Sequence, residues 1–193
     1  MVRRPPELPF PEPELEDDVV LLRPWRRADL RQRYDGFSDE LCRRFSSPRT
    51  EPTTEAEVAA AFERDEQDRC AGAALALAVA DATQPARVWG AVSVYDVDAG
   101  DQRAAIGYWL APWARGRGAA TRSVRLLAGW AFARLGVQRL ELTCAPDNVT
   151  SVRVAERCGF VREGVLRSHL RFKDARRDTV IFSLLPGELR HER

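Results

Sequence analysis

The segment Trp113-Ala114-Arg115-Gly116-Arg117-Gly118-Ala119-Ala120-Thr121 decides how this chain is read. It follows an apolar, strand-like run ending at Leu110, and a helical pattern starts near Thr121. Gly116, Gly118, Ala119 and Ala120 leave its backbone bare. The amides of such a turn, with the positive end of the following helix, form a nest for an anion. Arg115, Arg117 and Arg122 add charge around it. The chemistry implied is pyrophosphate binding through main-chain donors. Two familiar phosphate motifs do not fit. A Walker loop needs a Gly-Lys pair, and none exists here. A dinucleotide fingerprint needs a third small residue where Thr121 stands, early in a βαβ unit, and this loop comes after several strands.

The periodicity on either side sets the frame. Residues 121–135 carry Val124, Leu127, Ala128, Ala131 and Leu135, the stripe of a packed helix, with Gly136 placed to end it. Upstream, residues 19–23 read as a first strand and residues 28–37 and 39–45 as short helices. Thr54 and Glu57 form a capping box for a helix to about Gln67. Residues 73–80 and 87–94 read as an antiparallel pair, and 102–110 as a further strand. Downstream come a strand at 139–145, a helix at 148–158 closed by Gly159, and a pair at 161–170 and 179–184.

Composition narrows the class. A chain of 193 residues, 45% apolar and 31% charged, is one globular domain. The net charge of +1 argues against a nucleic-acid partner. Residues 106–140 nonetheless hold six Arg and no acid, which suggests an anionic ligand. The longest apolar run, residues 70–80, is too short to span a membrane. With no apolar signal segment at the start, a cytoplasmic location is expected. Lys173 is the one lysine, so a lysine Schiff base elsewhere is excluded. Cys42, Cys70, Cys144 and Cys158 form no C-x-x-C pair, and with His169 and His191 they make no metal constellation. The proline-rich acidic residues 1–18 read as a disordered, dispensable leader, the alternative being that Leu8 and Phe10 dock into a groove of this chain or of a partner subunit; 19–186 read as the domain and 187–193 as a polar tail.

Read as [QR]-x-x-G-x-[GA], Arg115-x-x-Gly118-x-Ala120 resembles the coenzyme A loop of the GNAT N-acetyltransferase superfamily. Asn148-Val149-Thr150-Ser151 followed by Ala155-Glu156-Arg157-Cys158-Gly159-Phe160 resembles the signature of its branch of ribosomal-protein-alanine N-acetyltransferases. Ile106-Gly107-Tyr108-Trp109-Leu110 is similar to that branch's fourth strand. The resemblance runs from residue 19 to 185. It implies an α/β (α+β) domain: a mixed, mostly antiparallel twisted sheet of about seven strands, flanked by helices and splayed between strands four and five.

It also implies acetyl-CoA as co-substrate, with no metal, and an amine acceptor that is a protein N-terminus or a small molecule. The pantetheine arm would pair with backbone around Tyr108, Trp109 and Leu110. Arg115, Gly116, Arg117, Gly118, Ala119, Ala120 and Thr121 would hold the pyrophosphate. Asn148 would bond the pantetheine arm and also cap its helix. Ser151, or failing it Tyr108, would protonate the departing thiolate. The glutamate that family members often carry before the Ile-Gly-Tyr is Ala105 here, which leaves the base open among Asp96, Asp98, Asp101, Glu141 or a water chain. Asp35, Asp39 and Glu40 are acceptor-pocket candidates, with Tyr34, Phe37 and Phe45 for apolar contact. A catalytically weak coenzyme A or peptide sensor on the same fold is the alternative, and both monomer and homodimer are compatible.

Overall fold

The computed structural model describes residues 7–47 and 50–190. Its strands are β1 (Leu15–Glu16), β2 (Val20–Arg23), β3 (Leu75–Asp81), β4 (Val88–Asp98), β5 (Arg103–Leu110), β6 (Arg139–Cys144), β7 (Val161–Phe172) and β8 (Ala175–Leu184). They form one sheet in the order β1-β2-β3-β4-β5-β6-β8-β7. All neighbours are antiparallel except β5 and β6. The helices are α1 (Leu30–Phe37), α2 (Glu40–Phe45), α3 (Glu55–Cys70), α4 (Ala119–Trp130) and α5 (Val149–Cys158). The sheet has eight strands where about seven were expected, because the supposed leader supplies β1.

The elements follow from local chemistry. Thr54 and Glu57 bond each other's backbones reciprocally at the start of α3. The stripe Val124, Leu127, Ala128 and Ala131 is fully buried and packs on Leu77, Val79, Val92, Ile106 and Leu140 of the sheet. This burial of apolar area is the main stabilising term of the domain. Gly136 takes φ +68° after a π turn at Ala131–Leu135, where a left-handed residue ends the helix. Strand alternation sends Ile106 and Tyr108 toward α4 and α5, and Trp109 toward α1. There α1 lies so close that a Cβ on Gly36 would stand 2.9 Å from the Trp109 ring.

One polar feature lies deep in the fold. Arg23, fully buried, makes two bonds to Asp29 at 2.7 and 2.9 Å and two to the carbonyl of Pro85 at 3.1 and 3.0 Å. The pair ties the end of β2 to the β3–β4 turn. A buried charge is tolerated only when satisfied in this way.

The leader is corrected by the structure from Glu7 onward. Leu8 is 5% exposed, and its N–H and C=O bond the carbonyl and guanidinium of Arg69 at 3.0 and 2.8 Å. Arg69 also pairs with Glu7 and Glu66 and lies 4.7 Å from the Phe10 ring. Leu15 and Glu16 pair with Leu22 and Leu21. The tail is likewise docked as far as Arg190, whose N–H bonds the carbonyl of Cys158 at 3.0 Å. Residues 1–6 and 191–193 lie outside the described residues. Removing the Leu8 side chain should cost about 2 kcal/mol or more. A chain beginning at Asp17 should melt lower by on the order of 10 °C. Thermal unfolding of the Leu8→Ala and shortened chains checks this, and unchanged midpoints would refute the docking.

Candidate active site

The site is built on a break in the sheet. The parallel ladder between β5 and β6 holds only Arg103↔Arg139, Ala104↔Leu140 and Ala105↔Glu141. Beyond it β5 stays on β4 as far as Gly90↔Leu110, and β6 stays on β8 as far as Cys144↔Val180. The strands therefore part, with residues 106–110 on one lip of a slot and 142–144 on the other. This is the splay expected between strands four and five; β1 shifts the count by one.

A cavity of about 570 Å³ lies on the α4–α5 side of the slot. Every position named from the sequence for donor binding or thiolate protonation lines it except Arg117. A second cavity of about 400 Å³ lies on the α1–α3 side, bordered by Trp25, Ser93, Tyr95, Thr143 and Trp109. The two share Phe45, Ser46, Tyr108, Trp109, Asn148 and Ser151. The α2 residues Leu41 and Cys42 line the first cavity only.

The nest has the backbone its sequence implied. Gly116 and Gly118 have φ of +76° and +75°, conformations that other residues reach only with strain. Gly118 is the N-cap of α4, so helix geometry leaves the N–H groups of Ala119, Ala120 and Thr121 without intrahelical acceptors. A Cβ on Gly116 would meet nothing within 4 Å, and one on Gly118 only Arg122 Nε at 3.9 Å.

The arginine side chains are placed differently from the sequence expectation. Arg115 turns to α2: it pairs with Asp39, bonds the carbonyl of Leu110 at 3.0 Å and lies 3.6 Å from Cys42 Sγ. Arg122 pairs with Asp17 and Asp18 at 2.9 and 2.6 Å. Arg117 stands over the Trp89 ring at 5.8 Å. Leu110 C=O thus already accepts a bond, and the Ala111 N–H donates to Trp89 at 2.8 Å. The lip left for an extended arm lies earlier, around Tyr108.

Asn148 caps α5 by accepting from the Ser151 N–H at 3.2 Å. Its amide NH₂ is not used by the cap. Ser151 is buried, and its hydroxyl acts on both Tyr108 and Cys144, favouring their charged forms. Desolvation pushes the Tyr108 phenol up to about 12 against the opposing effect of the Ser151 hydroxyl. Desolvation likewise pushes the Cys42 thiol up to about 11 and raises that of Cys144. All three groups are protonated at neutral pH.

The carboxylates proposed from the sequence do not gather at the slot. Asp35 pairs with Arg31 at 3.0 Å, and Asp39 caps α2 while holding Arg115. Asp98 accepts from Gly100 and Asp101 N–H at 2.9 and 3.0 Å, and Asp101 faces Arg103 at 3.7 Å. Glu141 accepts from Arg139 at 2.8 Å. Neither cavity is bordered by Asp35, Glu40, Asp96, Asp98, Asp101 or Glu141. The carboxylate that does border the second cavity is Asp65 of α3, which sequence reasoning missed because nothing in an amphipathic helix pattern marks it.

A family model described as the acetyltransferase (GNAT) domain matches residues 20–161. The chain belongs to the GNAT acetyltransferase family. It is 36% identical over 104 residues to YdaF of Bacillus subtilis, provisionally assigned as a ribosomal N-acetyltransferase, a match covering 54% of this chain and 57% of that protein. The chain thus spans little more than half the length of the curated relatives it matches. A GCN5-related N-acetyltransferase structure from Brucella melitensis is 29% identical with a TM-score of 0.77, covering 97% of this chain and 85% of that one. RimJ of Mycobacterium smegmatis, solved with CoA-disulfide, shares the fold at 24% identity and a TM-score of 0.81, covering 93% and 88%.

If the nest binds phosphate, branched carbon at Gly118 should abolish binding, through both the positive φ and the lost close approach. Acetyl-CoA at 100 times its Kd should add about 2.7 kcal/mol to the parent fold. The Gly118→Val chain should show no such thermal shift; an equal shift would remove the nest from the site.

Proposed function

We propose that this protein is an acetyl-CoA-dependent N-acetyltransferase acting by direct transfer to a primary amine, on a protein N-terminus or a small molecule. The observation that carries this reading is the meeting of two cavities at one slot. An anion nest closes one cavity, and the hydroxyls of Tyr108 and Ser151 stand where the cavities join. Structures of similar fold hold coenzyme A or acetyl-CoA, which supports the donor assignment.

In this reading the pyrophosphate lies on the amides of residues 116–121. The arm runs toward Tyr108, and Asn148 offers it the amide hydrogens that its cap leaves over. The amine enters from the second cavity and attacks the thioester carbonyl carbon. A C–N bond forms, the C–S bond breaks, and the amine proton leaves through water in the acceptor cavity. Aligning the two reactants across the slot supplies much of the rate.

The protonated thiols oppose a cysteine acyl intermediate, since the thiolate is the nucleophile. The raised Tyr108 pKa also refines the leaving-group chemistry. An alkyl thiol ionises near ~8.5, so a phenol at about 12 does not hand its proton fully to the thiolate. Tyr108 and Ser151 instead donate hydrogen bonds to charge as it develops on sulfur.

Replacing either hydroxyl, by Ser151→Ala or Tyr108→Phe, should lower kcat by roughly 10²-fold with little change in acetyl-CoA affinity. Because the two side chains stand together where the cavities join, the double variant should lose less than the product of the two. Asn148→Ala should weaken donor binding as well as rate. Steady-state thiol release and acetyl-CoA titration separate these outcomes. A Ser151→Ala rate within threefold of the parent would remove Ser151 from the catalytic list. Donor binding without thiol release from any amine would make the chain a binding module instead.

A further inference from the structure

Tyr95, Ala105 and Glu141 stand in one row across the sheet, since Tyr95 pairs with Ala105 and Ala105 with Glu141. Alternation puts all three on the α1–α3 side, the face that carries the acceptor cavity. The next row toward the slot holds Ser93, opposite Gly107, and Thr143, two residues on from Glu141. Ala105 and Gly107 are small, so a long side chain can lie across β5 here. The Tyr95 ring does so: a Cβ on Gly107 would stand 3.1 Å from its Cε1 and 3.8 Å from its hydroxyl oxygen. Ser93, Tyr95, Gly107 and Thr143 all border the acceptor cavity. The Tyr95 phenol therefore reaches the lip of the slot from the acceptor side.

Behind this phenol the charge is negative. Arg139 donates to two carboxylates, to Glu163 at 2.9 and 2.6 Å and to Glu141 at 2.8 Å. Two carboxylates on one guanidinium leave one negative charge over. Arg139, with the Ser183 hydroxyl, holds the Glu163 carboxyl down to about 2, so Glu163 keeps its charge. The capacity of the trio to take up a proton therefore belongs to Glu141. Its side chain is 24% exposed, which lets it return that proton to water. Burial, with the charges of Asp96 and Glu141, raises the Tyr95 phenol above its ordinary range against the effect of Thr143. Such a phenol keeps its own proton. It is no base by itself, but its oxygen can accept one proton while its hydroxyl gives up another.

We propose that Tyr95, Thr143 and Glu141 form the proton exit of the acceptor site. As the C–N bond forms, the amine nitrogen gives a proton through cavity water to the Tyr95 oxygen. The Tyr95 hydroxyl proton passes through the Thr143 hydroxyl to Glu141, which releases it to solvent. Each hydroxyl ends with one proton, as it began, and the electron pair left on nitrogen stays with the new amide. This rests on the acetyl-transfer reading and supplies the base that Ala105 leaves open.

The test is thiol release by the full chain, with the best acceptor of an amine panel. Tyr95→Phe keeps the ring over Gly107 and removes the relay oxygen, and Glu141→Gln removes the terminal acceptor. Each should lower kcat roughly 10²-fold while acetyl-CoA affinity stays unchanged. Because the two act in series, the double variant should lose no more than either alone. Ala105→Glu puts a carboxylate on the row between them. Added to Tyr95→Phe, it should restore most of the rate, which a packing role for the phenol would not allow. A Glu141→Gln rate within about threefold of the parent, losses that multiply in the double variant, failure of the Ala105→Glu rescue, or a loss on Asp96→Asn in place of Glu141→Gln would each overturn the relay. A parent that releases no thiol with any amine would sink the transferase reading and the relay together. Normal parent turnover with unmoved variants would sink the relay alone.

Discussion

The parting of β5 from β6 is the constraint on which the rest of the molecule depends. Beyond the break each strand keeps its other neighbour, β4 in one case and β8 in the other. The break therefore sacrifices a single row of ladder bonds and leaves both halves of the sheet intact. What it creates is an edge inside the sheet, where backbone groups await an extended partner, as an exposed edge strand does. It also creates a passage. Side chains alternate across a sheet, so the two faces of an intact one cannot share a reacting centre. Here the slot lets Tyr108, Asn148 and Ser151 border cavities on both faces, and a donor on one side can meet an acceptor on the other.

How far the sequence discloses this depends on the range of the interaction. The nest is legible because it is local: Gly116 and Gly118 supply positive φ, and the helix that follows announces itself by its stripe. The Asn148 cap and its spacing to Ser151 are local too. The docked leader is not legible. Leu8 and Phe10 stand out as apolar in a proline-rich acidic stretch, but no periodicity decides between docking and disorder, because the groove that receives Leu8 is closed by Arg69, 61 residues away. The acids of α1 and α2 mislead for a related reason. Asp39 looks like an amine ligand by composition, yet the N-cap position and Arg115, 76 residues distant, commit its carboxylate elsewhere.

That commitment gives the short helix α2 a defined place. Its start is held to the nest by Asp39 and Arg115, and its end to the β6–α5 loop by Arg44 and Asp147 at 2.7 Å. The two loops proposed to grip the donor are thus bridged by a single helix that also forms the cavity wall. An exposed pair such as Arg44–Asp147 contributes little stability alone. Its effect is geometric, since six residues of helix anchored at both ends have little freedom to swing. Phe45, between the Arg44 and Arg177 guanidiniums at 4.9 and 5.5 Å, is fixed where the two cavities join.

The same pairings decide what kind of anion site the nest can be. The run of arginines suggested a field of positive charge, but Arg115 is neutralised by Asp39 and Arg122 by Asp17 and Asp18. Side-chain charge near the loop is largely spent within the fold. What remains directed at a ligand is the set of main-chain N–H groups at the start of α4, with the partial positive charge of the helix end. Main-chain donors need a close approach, and close approach needs residues without bulk. This is why the segment is made of glycine and alanine at the positions that line the cavity, while its arginines hold the neighbouring elements in place.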